Sequence, residues 1–415
     1  MTLERRRQAL ERALELTPAY TRWRGFDPGP GVETAARFAA LPVLTREDLR
    51  RDFPAAFVPA GVDLKGGLAR GQVEFVATSG TTGEPMQLLW DQAWWDASER
   101  ASWQLNAHAR RWMTGTHAEA VLASPRCVGP PPKDRPTSRQ ERTLGRLLFL
   151  NEHPDVAQWS DADVVRMAAE LAQHRPVVLE ADPVYLAAFC RRVQRLRVSV
   201  FQPELLVFTY SFTSEAHLRQ VRQVFRAPRM SSHGSTECGY VFVECEHGRL
   251  HQNARSCHVD FLPLPTAPRL GRLIVTPFEH PWCCVLRFDI GDLGLLSGEP
   301  CACGNREGLT LETIAGRSGD VTLTSGGRLV SVHELDAALS GVRGMWSYRL
   351  EQPVRHRSEL KILSDNPGED VRVARDALAR LYGPDCEVTV QVVDALAPER
   401  SGKYRLASTG FVVTL

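Results

Sequence analysis

Lysine is scarce in this chain of 415 residues, whose 50 basic residues are almost all arginines. It occurs only at Lys65, Lys133, Lys361 and Lys403, so a lysine inside a motif deserves a chemical explanation. An excess of charge of either sign is also missing, because 49 acidic residues leave a net charge of +1. This balance excludes the electrostatic footprint of a protein that binds nucleic acid or an anionic membrane surface.

Long apolar runs are missing as well. The N-terminal stretch MTLERRRQALERALEL is charged and amphipathic, with neither the apolar core of a signal peptide nor the length of a spanning helix. We therefore expect a cytoplasmic protein without membrane segments. The 10 cysteines then represent reduced thiols, metal ligands or core residues rather than disulfides.

The pattern of apolar residues predicts an α/β protein of more than one domain, since 415 residues exceed one ordinary core. Residues 161–206 alternate helical and strand-like segments, which favours a large N-terminal domain of sheets flanked by helices. After Gly316 the order becomes helix, two strands, helix and strand. That order predicts a small C-terminal α+β domain, possibly of the ferredoxin-like type, and we expect a monomer or homodimer.

A loop rich in glycine and hydroxyl residues lies between two strand-like runs. Glycines let the backbone approach a ligand closely, and hydroxyl and freed N–H groups can surround phosphate oxygens. No Gly-Lys-Ser/Thr ending follows, so it is not a Walker A loop. A hydroxyl-rich hairpin turn is the structural alternative. The loop consists of Thr78, Ser79, Gly80, Thr81, Thr82, Gly83, Glu84 and Pro85.

This string resembles the phosphate-binding loop of the adenylate-forming superfamily, which includes acyl-CoA synthetases, peptide-synthetase adenylation domains and luciferases. The upstream segment LPVLTREDLRRDFP is similar to the phenylacetate–CoA ligase branch. The resemblance extends from about Leu41 to Arg405 and implies that residues 78–83 bind ATP. Glu84 departs from the family, which commonly has lysine there.

The segment from Ser232 to Glu237 resembles the family's aromatic-Gly-x-Thr-Glu motif. The resemblance implies that Thr236 contacts the α-phosphate and that Glu237 holds Mg²⁺, which prefers hard oxygen ligands. His233 replaces the usual tyrosine and would cover the adenine, with Gly234 and Ser235 beside the nucleotide. A helix cap is the structural alternative.

Two further segments carry the resemblance towards the C-terminus. Asp292 ends Arg-Phe-Asp-Ile-Gly-Asp, which is similar to a family segment whose aspartate accepts hydrogen bonds from both ribose hydroxyls. Arg317 lies in a hinge-like Gly-Arg-Ser-Gly-Asp and would reach the ribose or phosphate. Gly319 departs from the usual Asp or Lys at the hinge residue. Polar surface turns are the alternative for both. The hinge implies an N-terminal domain over residues 1–317 and a mobile lid over 318–415.

One of the rare lysines falls in the final motif. Ser401-Gly402-Lys403 resembles the family's C-terminal Ser-Gly-Lys, whose lysine bridges the carboxylate and the α-phosphate during adenylation. A mobile cation there offsets the repulsion between two anions that must meet. A solvated lysine in the tail is the alternative.

Three thiols and an imidazole suggest a closed tetrahedral Zn²⁺ site with a structural role. The candidate ligands are Cys245, His251, Cys301 and Cys303, and the phenylacetate-ligase branch has a similar pair of segments. His247 competes for the fourth position and Cys257 is a substitute ligand. Small buried cysteines without a metal are the alternative.

Aromatic residues near these motifs are candidates for the wall of an acid pocket. Trp94, Tyr210, Phe212 and Tyr240 would favour a flat apolar ligand, although most aromatic residues simply form the core. The segment FTYSFTS departs from the family pattern, which indicates a specialised biosynthetic substrate.

Taken together, these segments predict an ATP- and Mg²⁺-dependent ligase. It would activate a small aromatic carboxylic acid as its adenylate and pass the acyl group to a thiol of coenzyme A or of a carrier-protein phosphopantetheine. One alternative keeps the adenylation but couples an amine, adenylates a phenol or activates nitrite for diazotisation. Another is a catalytically silent nucleotide-binding homologue, against which the retention of Glu237, Asp292, Arg317 and Lys403 argues.

Overall fold

The computed structural model describes residues 2–77, 86–131 and 133–415. The helices are α1 Thr2–Leu16, α2 Thr34–Ala40, α3 Arg46–Asp52, α4 Leu64–Ala69, α5 Gln92–Trp103, α6 Asp161–His174, α7 Pro183–Leu196, α8 Glu215–Val224, α9 Val332–Leu339 and α10 Pro367–Tyr382. The strands are β1 Glu74–Ala77, β2 Gln87–Trp90, β3 Glu119–Leu122, β4 Thr143–Leu144, β5 Leu147–Phe149, β6 Val178–Ala181, β7 Leu205–Phe208, β8 Arg229–Ser235, β9 Gly239–Glu244, β10 Leu250–Gln252, β11 Cys257–Leu264, β12 Ala267–Pro277, β13 Phe288–Leu296, β14 Thr310–Arg317, β15 Thr322–Leu323, β16 Leu329–Val330, β17 Met345–Val354, β18 Arg357–Ser364, β19 Glu387–Val392 and β20 Ala407–Thr409. Short 3₁₀ helices lie at Pro18–Gly25, Arg110–Trp112, Val156–Gln158 and Ser318–Asp320.

The chain packs into two compact units, each made of two segments. The first comprises Met1–Thr114 and Ser232–Thr313, and the second comprises Gly115–Ser231 and Ile314–Leu415. The predicted boundary between residues 317 and 318 stays a prediction. Among the described residues, no helix is both long enough and apolar enough to cross a bilayer.

The first unit is built on a sheet of long hairpins. Its strands follow the order β11, β12, β13, β14, β10, β9 and then the last residues of β8. Pairing is antiparallel in β11·β12, β12·β13, β14·β10, β10·β9 and β9·β8. The hairpin of β1 and β2 forms a separate small sheet. Thr45 precedes helix α3 and forms a capping box with Asp48.

The second unit contains a parallel sheet in the order β7, β6, β3 and β5, with β4 antiparallel at the edge. The first residues of β8 pair in parallel with β7. Helix α7 begins at Pro183, which suits the first turn, and the preceding Asp182 caps the helix by accepting from the Val184 N–H. The helices bury their apolar faces on this sheet, as the βα alternation predicted.

The C-terminal part of the second unit contains a four-stranded sheet in the order β19, β18, β17, β20. Strands β17 and β18 form an antiparallel hairpin, and β18·β19 and β17·β20 are parallel. Apolar residues of α9 and α10 pack on this sheet in one core cluster. The predicted fold class is therefore confirmed, with a helix, two strands, a helix and a strand in the predicted order.

Candidate active site

The turn between β8 and β9 carries the predicted nucleotide motif in the first unit. His233, Gly234 and Ser235 end β8, and Thr236 and Glu237 form the turn that leads into β9. A Cβ on Gly234 would lie 2.4 Å from the Gly239 carbonyl oxygen, so the two strands come too close there for a side chain. The motif is therefore part of a strand and a tight turn, and the helix-cap alternative is wrong.

Two acidic side chains of the first unit meet basic partners at this motif. Glu237 is buried, and its Oε1 lies 3.5 Å from an Arg46 guanidinium nitrogen on α3. Asp292, which follows Gly291 in β13, places Oδ2 3.4 Å from His233 Nε2. Both distances are long for hydrogen bonds.

Two serine hydroxyls beside the motif are buried. Among the described residues, neither Ser232 Oγ nor Ser235 Oγ has a hydrogen-bond partner. A buried polar atom without a partner costs free energy, and such atoms at a turn are typical of a site that a ligand completes. Hydroxyls can donate to phosphate oxygens, and the buried Glu237 carboxylate is a hard ligand that suits Mg²⁺.

The predicted phosphate loop lies outside the described residues. Thr78, Ser79, Gly80, Thr81, Thr82, Gly83 and also Glu84 belong to that segment. Its flanks are described: Ala77 at the end of β1 pairs with Gln87 at the start of β2. The expected arrangement of a strand before and a strand after the loop is confirmed.

Two of the predicted pocket residues lie together in the first unit, where α5 packs on β9. The Trp94 indole N–H donates to the Phe278 carbonyl at 2.9 Å, and the Tyr240 hydroxyl donates to Glu99 at 3.0 Å. A Cβ on Gly239 would lie 3.1 Å from the Trp94 ring, so the start of β9 passes directly under that ring. The rings of Trp95 and Tyr240 are 4.9 Å apart, which extends the aromatic surface.

The other two pocket candidates follow β7 in the second unit. Phe212 packs against the apolar core of the C-terminal sheet. Tyr210 has a positive φ of 72°, a conformation that is costly for a bulky side chain and is found mostly where surrounding contacts enforce it. Its hydroxyl donates to Glu180 on β6, which fixes the ring at the carboxyl edge of the parallel sheet.

Glu180 was not predicted as a site residue, although a lone acid inside the apolar run PVVLEA could have drawn attention to it. Burial raises the pKa of its carboxyl group from 4.5 to about 7, against the effect of the Tyr210 hydrogen bond. Asp182, two residues later, accepts a hydrogen bond from Ser211 at 2.5 Å, and burial raises its pKa too. Glu180 and Asp182 therefore both accept hydrogen bonds from the FTYSFTS segment at the carboxyl edge of the parallel sheet.

Replacement of Glu180 by glutamine should stabilise the protein at pH 8. The pKa of Glu180 is about 7 in the folded protein and about 4.5 in the unfolded chain. Between these values the unfolded chain releases a proton that the folded protein retains. The free energy of unfolding therefore falls as the pH rises from about 4.5 to about 7. Glutamine removes that penalty, so the free energy of unfolding should increase by about 1–3 kcal/mol at pH 8. Urea unfolding at pH 4 and pH 8 measures it.

The gain should disappear near pH 4, where both states carry the protonated acid. The exposed Glu74 provides the control, since Glu74→Gln should leave both unfolding curves unchanged. A difference between Glu180→Gln and wild type that does not depend on pH would contradict the assignment of the raised pKa to Glu180.

Arg317 and Lys403 lie in the second unit. Arg317 ends β14 and precedes the short 3₁₀ helix Ser318–Asp320. Arg405 Nε donates to the Asp320 carboxylate at 2.6 Å, and the same guanidinium donates to the Gly319 carbonyl. A Cβ on Gly319 would have Arg405 as its nearest described neighbour, at 3.9 Å, so a Cβ fits at this position. Lys403 follows a tight turn and is half-buried.

The predicted metal ligands converge in the first unit. The ligand atoms of Cys245, His251, Cys301 and Cys303 all lie within 4.8 Å of one another. Cys245 Sγ is 3.6 Å from Cys301 Sγ, and Cys303 Sγ is 3.2 Å from His251 Nε2. Tetrahedral Zn²⁺ with sulfur ligands spaces its sulfurs by about 3.8 Å, so the thiols fit the ion.

The surroundings of this cluster decide between the alternative ligands. His251 Nδ1 lies 3.2 Å from Thr310 Oγ1, which orients Nε2 towards the thiols. Cys257 is buried elsewhere, and its thiol is 3.6 Å from the Asn253 carbonyl. The described geometry therefore favours His251 over His247 and leaves Cys257 outside the cluster.

Comparison with known proteins identifies the fold. No family model and no curated protein matches the sequence. The structure of 2-hydroxyisobutyryl-CoA ligase in the postadenylation state with 2-HIB-AMP is 16% identical with a TM-score of 0.72, over 98% of this chain and 88% of that chain. The chain has the fold of adenylate-forming ligases.

Two more distant structures share that fold. The anthranilate CoA ligase AuaEII in complex with anthranoyl-AMP is 12% identical with a TM-score of 0.52, over 80% of this chain and 65% of that chain. The amide bond synthetase McbA from Marinactinospora thermotolerans is 13% identical with a TM-score of 0.51, over 80% and 67%. The shared fold thus occurs with different acceptors.

Proposed function

We propose that this protein is an ATP-dependent, AMP-forming ligase that activates a small aromatic carboxylic acid and transfers it to a thiol. The acceptor is coenzyme A or a carrier-protein phosphopantetheine, in the manner of phenylacetate–CoA ligases. One observation supports the proposal: Asp292 lies 3.4 Å from His233 at the end of β8, next to the turn that carries the buried Glu237 and to two buried serine hydroxyls, in a chain with the ligase fold.

The residues of the turn, together with Asp292 and Arg317, have roles that suit a nucleotide. The Asp292 carboxylate accepts hydrogen bonds from the ribose hydroxyls, and the neighbouring His233 ring covers the adenine. The hydroxyls of Ser235 and Thr236 donate to phosphate oxygens. Glu237 would hold a Mg²⁺ ion, which neutralises phosphate charge when it is bound. Arg317 adds a cation for the ribose or phosphate.

The reaction then has two balanced steps. A carboxylate oxygen of the acid forms a bond to the α-phosphorus of ATP while the bond to pyrophosphate breaks, which yields the acyl-adenylate. A thiol, after loss of its proton, attacks the acyl carbon and AMP leaves. Lys403 stabilises the first step, because its charge offsets the repulsion between the carboxylate and the α-phosphate.

The aromatic surface of Trp94, Trp95 and Tyr240 supports a flat acid. Such rings bind planar ligands through their faces, and the hydrogen bond to Phe278 fixes the Trp94 ring in place. Tyr210, held by Glu180, is the aromatic candidate of the second unit. Anthranoyl-AMP in one structure of the same fold is a precedent for an aromatic acid.

A non-thiol acceptor is the second candidate. An amide bond synthetase has the same fold, so an amine could replace the thiol in the second step. Activation of a phenol or of nitrite would change the first nucleophile instead. In each version we propose a cytoplasmic monomer or homodimer in which Cys245, His251, Cys301 and Cys303 hold a structural Zn²⁺ ion.

Pyrophosphate release tests the proposal. The purified protein with ATP and Mg²⁺ is assayed against a panel of benzoate, anthranilate, phenylacetate, 2-hydroxyisobutyrate, malonate, nitrite and phenol, followed by mass analysis with coenzyme A or an amine. At least one aromatic acid should stimulate release and yield a thioester. Glu237→Gln should lower that rate by about 10²–10³-fold, since a charged group at the phosphates is lost.

Other outcomes are equally decisive. Release with an acid but no thioester, together with an amide when an amine is present, would favour the second candidate. Release that no panel member stimulates, at the same low rate in wild type and Glu237→Gln, would contradict the activation of these compounds and favour either a substrate outside the panel or a silent nucleotide-binding protein.

A further inference from the structure

Buried side-chain donors that belong to no recognised motif bind the backbone of the C-terminal Ser-Gly-Lys segment. We propose that Tyr185, with Ser124 and Cys127, forms a docking site for the Ser401–Gly402 backbone and so positions Lys403 for adenylation. The inference rests on the proposed function, because it assigns these side chains to the first of the two steps. All of these residues belong to the second unit.

Tyr185 provides the central donor. It lies on α7 and its side chain is fully buried. The single hydrogen of its hydroxyl is shared between the carbonyl oxygens of Gly402, at 2.8 Å, and Pro154, at 2.5 Å. Burial raises the pKa of this hydroxyl far above its ordinary value, so it remains a donor at any physiological pH. The rings of Trp159 and Tyr404 pack against it and prevent it from turning away.

The neighbouring carbonyl is held in the same way. The Ser401 carbonyl oxygen lies 3.1 Å from the Cys127 thiol and 3.3 Å from the Ser124 hydroxyl. Two consecutive carbonyls of the motif are therefore fixed by side chains from β3 and α7 or the loops beside them. A loop that was merely a surface tail would bond to water instead.

The approach of the chain is close enough to require glycine. Gly402 has a φ of +81°, and a Cβ there would lie only 1.9 Å from Ser124 Oγ. On either side, the Gly402 N–H donates to the Glu399 carbonyl and the Glu399 N–H donates to the Lys403 carbonyl, both at 2.8 Å. These contacts fix the backbone conformation of the turn and therefore the direction in which the Lys403 side chain leaves it.

The charge of Lys403 is directed at a defined place. Burial raises the pKa of Cys127 to about 11 and also raises that of Asp182, and in both cases the charge of Lys403 acts in the opposite direction. The charge of Lys403 therefore acts on both of these groups. Asp182 also caps α7 and accepts from Ser211, so the cation faces the carboxyl edge of the parallel sheet. Ligands of open α/β sheets bind at that edge.

The contacts suit a docking site from which the Ser401–Gly402 backbone can dissociate. They consist largely of hydrogen bonds to carbonyls, which water can replace at small net cost. The loss of one donor should therefore loosen the loop without unfolding the unit. Such a change would slow the step that needs Lys403 and spare the step that does not.

Tyr185→Phe removes only the hydroxyl. Tyr382→Phe is the matched control, because Tyr382 is also fully buried and its hydroxyl bonds to Thr322 at 2.7 Å, away from the motif. The first measurement needs no substrate: each variant is acetylated with N-hydroxysuccinimide acetate and the four lysines are followed by peptide mass analysis. Lys403 should react several-fold faster in Tyr185→Phe and at the wild-type rate in Tyr382→Phe, with the other lysines unchanged.

The second measurement separates the two half-reactions. For the most active acid of the panel, Tyr185→Phe should lower pyrophosphate release by about 5- to 20-fold, as expected for one lost hydrogen bond at a positioned group. Thioester formation from the synthetic acyl-adenylate should change less than about twofold, within the scatter of a remote surface change. Gly402→Ala, which pushes the loop off Ser124, should produce the same split.

Equal losses in both half-reactions, or unchanged labelling of Lys403, would overturn the inference. Those results are distinct from a failure of the proposed function, which would appear as the lack of acid-dependent release in the wild type. In that event, faster labelling of Lys403 in Tyr185→Phe supports the docking site, and unchanged labelling refutes it.

Discussion

Lys403→Ala should slow acid-dependent pyrophosphate release by about 10²–10³-fold, as expected when a charged transition-state stabiliser is lost. The reason is electrostatic: the attacking carboxylate and the α-phosphate are both anions, and charge accumulates on the departing pyrophosphate. Lys403 is the cation of the Ser-Gly-Lys turn, and that turn is fixed by Tyr185 and Ser124. Initial rates with saturating ATP and the best acid of the panel measure the loss.

The second half-reaction provides the internal control for this variant. Conversion of a synthetic acyl-adenylate into the thioester should proceed at nearly the wild-type rate, because no pyrophosphate is formed in that step. Lys361→Ala is the matched substitution, since Lys361 lies on β18 in a half-buried ion pair with Glu351 at 2.9 Å. A variant of Lys403 that loses both half-reactions equally would indicate a structural role for the lysine.

The position of Lys403 could be predicted from the sequence, but its docking site could not. A rare lysine after Ser-Gly is a local signal that a reader of the chain can detect. Tyr185, by contrast, lies in PVYLAAFCRRVQRL, where it looks like one more apolar residue on the buried face of α7. Its hydroxyl finds a partner more than 200 residues later in the chain, and no local pattern encodes that contact.

The fold shows the same difference between local and distant information. The order of elements after residue 316 was predicted because α9 and α10 are amphipathic and the strands between them alternate. Strand β20 was not predicted, since three residues carry no periodicity and pair only with distant Leu350–Gln352. The strand order of the first unit depends on similar long-range pairing, such as that of β10 with β14.

The candidate site also contains residues that a local motif predicts and residues whose role depends on distant contacts. The turn of His233 and Glu237 was predicted from its motif, yet the interpretation as a helix cap could be rejected only from the pairing of β8 with β9. The contact of Glu237 with Arg46 joins residues 191 positions apart. Glu180 was missed because a single acid in an apolar run has no motif, and its significance depends on the Tyr210 hydroxyl.

The four predicted metal ligands are expected to bind one Zn²⁺ ion per chain. Cys301→Ser should reduce the zinc content from one ion per chain to nearly none, because a closed tetrahedral site that loses one thiolate binds Zn²⁺ far more weakly. The ion would link the end of β9 and strand β10 to the loop that carries Cys301 and Cys303. Elemental analysis of the purified variants by mass spectrometry gives the zinc content directly.

The same substitution should lower the melting temperature by roughly 5–15 °C, the size expected when several kcal/mol of metal binding are lost. Cys257→Ser is the control, because Cys257 is buried in the same unit but lies outside the cluster. It should retain zinc even if it melts earlier. Retention of zinc by Cys301→Ser together with its loss from Cys257→Ser would show that the ligand set is wrong.

The effect on chemistry separates a structural ion from a catalytic one. Cys245 and Glu237 lie at opposite ends of β9, a strand of six residues that spans roughly 20 Å. A zinc ion at Cys245 would therefore be too far from the proposed nucleotide turn to touch a reacting atom, and four protein ligands would leave no position for water. Well below its melting temperature, Cys301→Ser should retain most of its pyrophosphate release. A loss as large as that of Lys403→Ala would require a direct role for the ion.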